Sequence, residues 1–173
     1  MHRPRPKGKI VFQTPWFEIF SKPIRGSKQP HYNIHAPDFA VVVAITARNE
    51  LLMVRQYRPS VDAVTLELPA GHIEIGETPV QAVRKELLEE TGYEADRFEL
   101  LATLSPSTAR FTNRLWCFFA KDACRAKNAR LEHGMQPVLY KKGFQELLDE
   151  KSFYSSGSCA ALFAALVRGR IRL

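Results

Sequence analysis

Residues Gly71 to Tyr93, GHIEIGETPVQAVRKELLEETGY, decide how the rest of the chain is read. They divide into a glycine-bearing loop, Gly71–Glu77, and a predicted helix, Pro79–Thr91. Thr78 suits the N-cap, Pro79 the first helical position, and Gln81 stands where a capping box takes Glu or Gln. Gly92 supplies the left-handed residue that ends the helix. Val80, Val83 and Leu87 recur at i, i+3 and i+7, which predicts one apolar stripe. Glu86, Glu89 and Glu90 fall together beside it, because three and four residues return to the same face. Stacked like charges cost roughly a few tenths of a kcal/mol per pair, so fold stability gives no reason to collect them there. A divalent cation does, since hard cations such as Mg2+ take carboxylate oxygens together with substrate phosphates. The plain alternative is a solvated acidic face with Lys85 and Glu89 as an i, i+4 pair.

The spacing is Gly71, five residues, Glu77, seven residues, then Lys85-Glu86-Leu87-Leu88-Glu89-Glu90-Thr91-Gly92-Tyr93. It resembles the Nudix box, the signature of Mg2+-dependent hydrolases of nucleoside diphosphates linked to another moiety. The resemblance implies an α+β fold, a Nudix-type α/β/α sandwich on a mixed β-sheet. It also implies that Glu86, Glu89 and Glu90 are catalytic and bind Mg2+, with Mn2+ able to substitute. One position departs: Lys85 stands where the family has an Arg that orients the glutamates, giving a point charge in place of a bidentate fork. Glu77 is expected to brace the loop against the helix rather than touch metal.

At 173 residues and 45% hydrophobic, the chain suffices for one substantial core. No apolar run reaches the length of a membrane span, and MHRPRPKGK is followed by no apolar h-region, so neither membrane nor signal peptide is expected. Cys117, Cys124 and Cys159 are odd in number without metal-ligand spacing, which points to reduced thiols in the cytoplasm. A formal charge of +7 suits an anionic substrate, or merely keeps the chain in solution. No nucleic-acid module is recognisable, and Arg168, Arg170 and Arg172 are too few to make one. Repeats and low-complexity segments are absent.

Residues 1–9 read as a loosely docked arm, followed by strands over Ile10–Phe12, Trp16–Ser21 and Tyr32–His35. Residues 1–36 thus form an arm with a small antiparallel sheet, and 37–173 the Nudix domain. This N-terminal section resembles the sheet that precedes the core in the ADP-ribose pyrophosphatase branch. There it crosses to a partner subunit, which implies a homodimer. Trp16 and Phe17 either stack on the nucleobase or cover the core. Phe39–Thr46 is a β-branched run typical of a strand buried on both faces, and Leu51–Tyr57 returns beside it. The VRQYRP segment, Val54–Pro59, is similar to one in nucleotide-sugar pyrophosphatases. Arg55 and Arg58, taken to project from one face, either bind phosphate or form a surface pair.

Val64–Leu68 is a further strand entering ELPAG, Glu67–Gly71, again similar to the ADP-ribose branch. The resemblance makes the Ala70 carbonyl a metal ligand and Gly71 a substrate-side residue; Glu67 either supports the metal shell or pairs with an arginine. Beyond the helix, strands are predicted over Phe98–Leu104, Arg114–Ala120, Lys127–Glu132 and Gln136–Tyr140, and helices over Gly143–Lys151 and Cys159–Val167, the latter capped by Ser158. In the branch, the region of Ser105–Asn113 carries a glutamate that positions the attacking water, and another stands near Gln136. Both are missing here, which leaves Glu89 or a metal-bound hydroxide as the candidate base. Ser107, Thr108, Arg110 and Asn113 either bind phosphate or sugar oxygens or form a plain polar loop. His133 has a pKa range suited to proton transfer, though a lone loop histidine is more often a bystander. The expected activity is hydrolysis of a nucleoside diphosphate sugar, ADP-ribose first. The alternatives are a Nudix hydrolase of dinucleoside polyphosphates or modified nucleoside triphosphates, and a non-catalytic nucleotide-sensing module.

Overall fold

A computed structural model describes residues 7–172; the first six residues of the expected arm lie outside it. Two sheets organise the chain. The smaller is antiparallel, in the order β1 (Lys9–Gln13), β2 (Glu18–Lys22), β3 (His31–His35). It docks through β3: the Ile34 amide donates to the Arg110 carbonyl at 2.8 Å, and the Thr112 amide donates to the Ile34 carbonyl at 3.0 Å.

The larger sheet is mixed. Its strands are β4 (Phe39–Thr46), β5 (Leu51–Arg58), β6 (Ala63–Glu67), β7 (Ala70–His72), β8 (Tyr93–Glu94), β9 (Phe98–Leu104), β10 (Leu115–Arg125) and β11 (Gln136–Tyr140). The path runs β11-β5-β4-β10-β8, with β6 on β5, β7 on β4 and β9 on β10. Strands β4 and β10 pair in parallel, and the other pairs are antiparallel.

Alternation along β4 shows why its apolar run is continuous. Ala40, Val42 and Ala44 face the helix α1 (Pro79–Thr91) with Ala82, Val83 and Leu87. Val41, Val43 and Ile45 face the opposite way, onto α2 (Phe144–Asp149) and α3 (Ser156–Val167) through Leu147, Ala161, Leu162 and Ala165. A strand covered on both sides needs apolar residues at both parities. The result is the expected α/β/α sandwich with a small antiparallel sheet ahead of it.

Several boundaries differ from expectation. The second strand starts at Glu18, because Thr14 holds Trp16 and Phe17 in a turn, its Oγ1 accepting from both amides. No strand forms over 127–132: the Ala126 amide donates to the Gly92 carbonyl, and the Glu132 amide to the Glu89 carbonyl at 2.7 Å, so this segment folds against the end of α1. The last helix is capped by Ser155, whose Oγ accepts from the Ser158 amide. Ser158 itself is buried and accepts from the Leu68 amide at 3.0 Å. Among the described residues, no helix is long and apolar enough to cross a membrane.

Candidate active site

Helix α1 carries the anticipated capping box, with Thr78 and Gln81 bonding reciprocally, and ends at Gly92 in the left-handed conformation, φ 74°. Its buried stripe is displaced from the one expected. Val80 is exposed, while Val83, Glu86, Leu87 and Glu90 are buried at i, i+3, i+4 and i+7. Two glutamates therefore sit within the packed face rather than beside it. They open into a cleft of about 410 Å3 that is also lined by Gln56, Arg58, Ala70, Gly71, Glu89 and Glu132.

Carboxylate oxygens of Glu86, Glu90 and Glu132 lie within 4.8 Å of one another. Glu132 was not foreseen as a member of this group. It sits four residues before Gln136, and its backbone bond to Glu89 fixes it over the helix. Glu89 lines the same cleft but stands outside that close trio. The Ala70 amide donates to Glu90 Oε2 at 2.9 Å, tying β7 to the helix. Strand β7, within what reads as loop, thereby places Ala70 and Gly71 against the acidic cluster.

Gly71 has a steric reason to be glycine. A Cβ there would lie 2.1 Å from the Glu86 carboxyl carbon, so any side chain drives the carboxylate away. Because that carboxylate is the end of a flexible side chain, Gly71→Ala is expected to spare thermal stability but weaken divalent-cation affinity about tenfold or more. Cation titration beside a melting curve checks this; equal affinity would show that the Glu86 position is immaterial.

The electrostatics fit a cation. Burial pushes Glu90 up to about 8, with Glu86 and Glu132 reinforcing it against the bond from Ala70 and the charge of Arg58. Burial pushes Glu86 up to about 7; Lys85 opposes this, and Glu89, Glu132 and Glu77 add to it. Three converging carboxylates, two of them reluctant to ionise, form an all-oxygen donor set of the kind that hard divalent cations take.

The sign of the linkage is unusual for acids. Unfolded carboxylates ionise near 4.5, whereas the folded Glu86 and Glu90 hold their protons to about 7 and about 8. The unfolded chain therefore binds fewer protons throughout that window, and stability falls as pH rises from about 4.5 to about 8. Metal-free protein is expected to melt at a lower temperature at pH 8 than at pH 6, with Mg2+ closing the gap; scanning calorimetry in EDTA and in Mg2+ reads it.

The remaining candidates are spread out. Lys85 bonds Glu74 Oε1 at 2.6 Å, rather than Glu89, and so ties the helix to the loop. Glu77 accepts from the Glu74 amide at 3.1 Å and braces the same loop. Arg58 lines the cleft and is held by Glu67 in a two-pronged pair, 2.9 Å on each arm. Burial of Glu67 opposes its ionisation, but Arg58 and Thr65 outweigh this and keep it below the usual carboxylate range. Arg55 does not share that face. Side chains alternate along a strand, so Gln56 and Arg58 face the cleft, and Arg55 donates to Ser152 Oγ at 3.3 Å.

Arg110 is exposed and reaches His31 at 3.1 Å, across the seam with the small sheet. Asn113 is buried, its Nδ2 donating to the Pro37 carbonyl at 3.0 Å. Neither lines the acidic cleft. Trp16, 73% exposed, and Phe17 line a separate cleft of about 430 Å3 with His35, Asp38 and Ile75. Ile75 belongs to the Gly71–Glu77 loop, so the aromatic pair stands beside the box and not within it. His133 is exposed, on the turn next to Glu132.

Comparison with known proteins agrees with this geometry. Residues 35–137 match the NUDIX domain. A methanol dehydrogenase activator of Bacillus methanolicus is 35% identical over 96 residues, 56% of this chain and 52% of that protein. The chain thus spans about half the length of that relative. An ADP-ribose pyrophosphatase of Bacillus subtilis is 31% identical over 129 residues, 69% of this chain and 70% of that protein. The crystal structure of an ADP compounds hydrolase superposes with a TM-score of 0.80 at 22% identity, covering 95% of this chain and 94% of that one, and so shares the fold. Taken with the box, its buried glutamates and the sandwich that carries them, these matches show that the chain belongs to the NUDIX domain family.

Proposed function

We propose that the protein is a divalent-metal-dependent pyrophosphohydrolase of a nucleoside diphosphate sugar, ADP-ribose first, releasing a nucleoside monophosphate and a sugar phosphate. The observation that carries this is the convergence of Glu86, Glu90 and Glu132 in a cleft that also holds Arg58. The name borne by the Bacillus subtilis relative supports the substrate. In this reading Mg2+, or Mn2+ in its place, is held by Glu86, Glu90 and Glu132, with Glu89 and the Ala70 carbonyl at hand. A cation bound there supplies charge neutralisation for a pyrophosphate and acidifies a water.

The chain's own residues do the rest. Arg58, oriented by Glu67, meets a phosphate oxygen with its free edge. Gly71 keeps the floor of the cleft bare, so that both Glu86 and the diphosphate fit. Lys85, Glu74 and Glu77 hold the loop at its distance from the helix. The proton of the attacking water passes to Glu132 or Glu89, which are less buried than Glu86 and Glu90. Trp16 and Phe17 are proposed to meet the nucleobase across a homodimer, for which exposed Ile10, Val11 and Phe12 on β1 provide apolar surface. Residues 1–36 are then the dimer-forming part and 37–173 the hydrolase domain. Arg55, Arg110 and Asn113 are already engaged by Ser152, His31 and Pro37, which argues against substrate contacts for them. The cytoplasm is the proposed compartment, supported by three free cysteines.

A substrate panel in Mg2+, with products identified, tests the reading. ADP-ribose is expected to yield AMP and ribose 5-phosphate. Turnover confined to dinucleoside polyphosphates or modified nucleoside triphosphates would move the protein to another Nudix class. A second, non-catalytic reading rests on Lys85 in place of the family's Arg and on the acids missing from 105–113 and from the neighbourhood of Gln136. Its mark would be ADP-ribose binding without turnover, unaltered by Glu86→Gln.

A further inference from the structure

A second cavity is larger than the acidic cleft. It holds about 810 Å3, within the range of small-molecule sites, and shares no lining residue with that cleft. The two lie at opposite ends of β5 and β11: Gln56 and Met135 border the acidic cleft, Leu51 and Tyr140 the other. Five residues of strand separate them, about 17 Å.

This second cavity has the opposite charge. Lys121, Lys141, Lys142, Arg170 and Arg172 line it, against a single lining carboxylate among the described residues, Glu99. Glu99 is taken by Arg170 at 2.8 Å; Lys141 is paired with Glu50 at 3.0 Å and Lys142 more loosely with Glu150 at 3.9 Å. Lys121 and Arg172 have no ion pair among the described residues. The inner wall is apolar, with Ile45, Phe119, Phe144 and Leu147. Tyr140 borders it as well. Tyr140 is 8% exposed, and its buried hydroxyl has no hydrogen-bond partner among the described residues. A buried hydroxyl left unpaired is costly unless something else satisfies it.

We infer that this cavity is a second ligand site, distinct from the acidic cleft, for a phosphorylated small molecule of mononucleotide size. Its phosphate sits between Lys121 and Arg172, its ring lies on the apolar wall, and a polar atom of it pairs with the Tyr140 hydroxyl. The inference does not depend on the activity proposed above.

Calorimetric titration of the full chain in EDTA tests it, with AMP, adenosine and inorganic phosphate as probes. Without a cation the acidic cleft repels phosphate, which leaves the basic cavity to report. AMP is expected to bind saturably with a Kd below about 1 mM, and adenosine and phosphate at least about tenfold more weakly. Lys121→Ala with Arg172→Ala, both exposed and harmless to folding, is expected to weaken AMP about tenfold or more, a loss of about 1.4 kcal/mol. Tyr140→Phe keeps the ring packing and is expected to weaken AMP several-fold, while Glu86→Gln leaves it unchanged. The inference is overturned if AMP shows no saturable binding or if phosphate binds as tightly as AMP. It is equally overturned if binding survives the double substitution or is lost in Glu86→Gln.

Discussion

Glu90→Gln is expected to abolish turnover while making the metal-free protein more stable at pH 8. The two effects share one cause. Glu90 is 2% exposed, and burial pushes it up to about 8, so holding it ionised opposes folding above neutral pH. Glutamine keeps an oxygen for the Ala70 amide, now bonded at 2.9 Å, and offers an NH2 to the neighbouring Glu86 and Glu132. Nothing in the fold needs the charge. On the proposed mechanism a bound cation does, and removing one of three carboxylates is expected to lower kcat about a thousandfold, equivalent to roughly 4 kcal/mol of transition-state stabilisation. Melting curves in EDTA and ADP-ribose turnover in Mg2+, taken on the same preparation, read both. A variant that lost stability together with activity would show that Glu90 is structural.

The second large effect belongs to Glu132. It is exposed, so Glu132→Gln is expected to change stability by no more than about 0.5 kcal/mol. Turnover is expected to drop about a hundredfold or more, the range for loss of a positioned acid–base or metal-side carboxylate. Gln136→Ala, four residues on and also exposed, is the control, with less than about a twofold change. Comparing kcat for the two variants separates an acid supplied by 132 from one merely absent at 136. If the two behaved alike, the acidic trio would be coincidental.

The box helix was legible because its information is local. A cap, a proline at the first position, carboxylates at helical spacing and a terminal glycine all lie within one short segment, and each fixes backbone geometry without help from elsewhere. Strand β4 was legible for a similar reason, since an unbroken apolar run has few other fates. Glu132 was not, because its place depends on a segment far along the chain that returns to the end of α1 through two backbone bonds. Backbone bonds of that kind leave no pattern in side-chain types. The expectation of a gap near Gln136 looked only at that position, and the carboxylate that the fold brings to the cluster stands four residues earlier, at Glu132. Arg55 and Arg58 were misjudged for a different reason. Three residues apart on a strand places side chains on opposite faces, and the pleat alone would have separated them. Val80 shows the converse limit: helical spacing named a stripe correctly at Val83 and Leu87, but the burial of Glu86 and Glu90 moved its edge.

The most direct measurement is the Mg2+ dependence of ADP-ribose hydrolysis, followed by 31P NMR, with the unaltered chain and Glu90→Gln in parallel. The account predicts AMP and ribose 5-phosphate from the unaltered chain, a rate that saturates with Mg2+ and vanishes in EDTA, and almost none from the variant. Hydrolysis that ignored EDTA, or that continued undiminished without the Glu90 carboxylate, would contradict it.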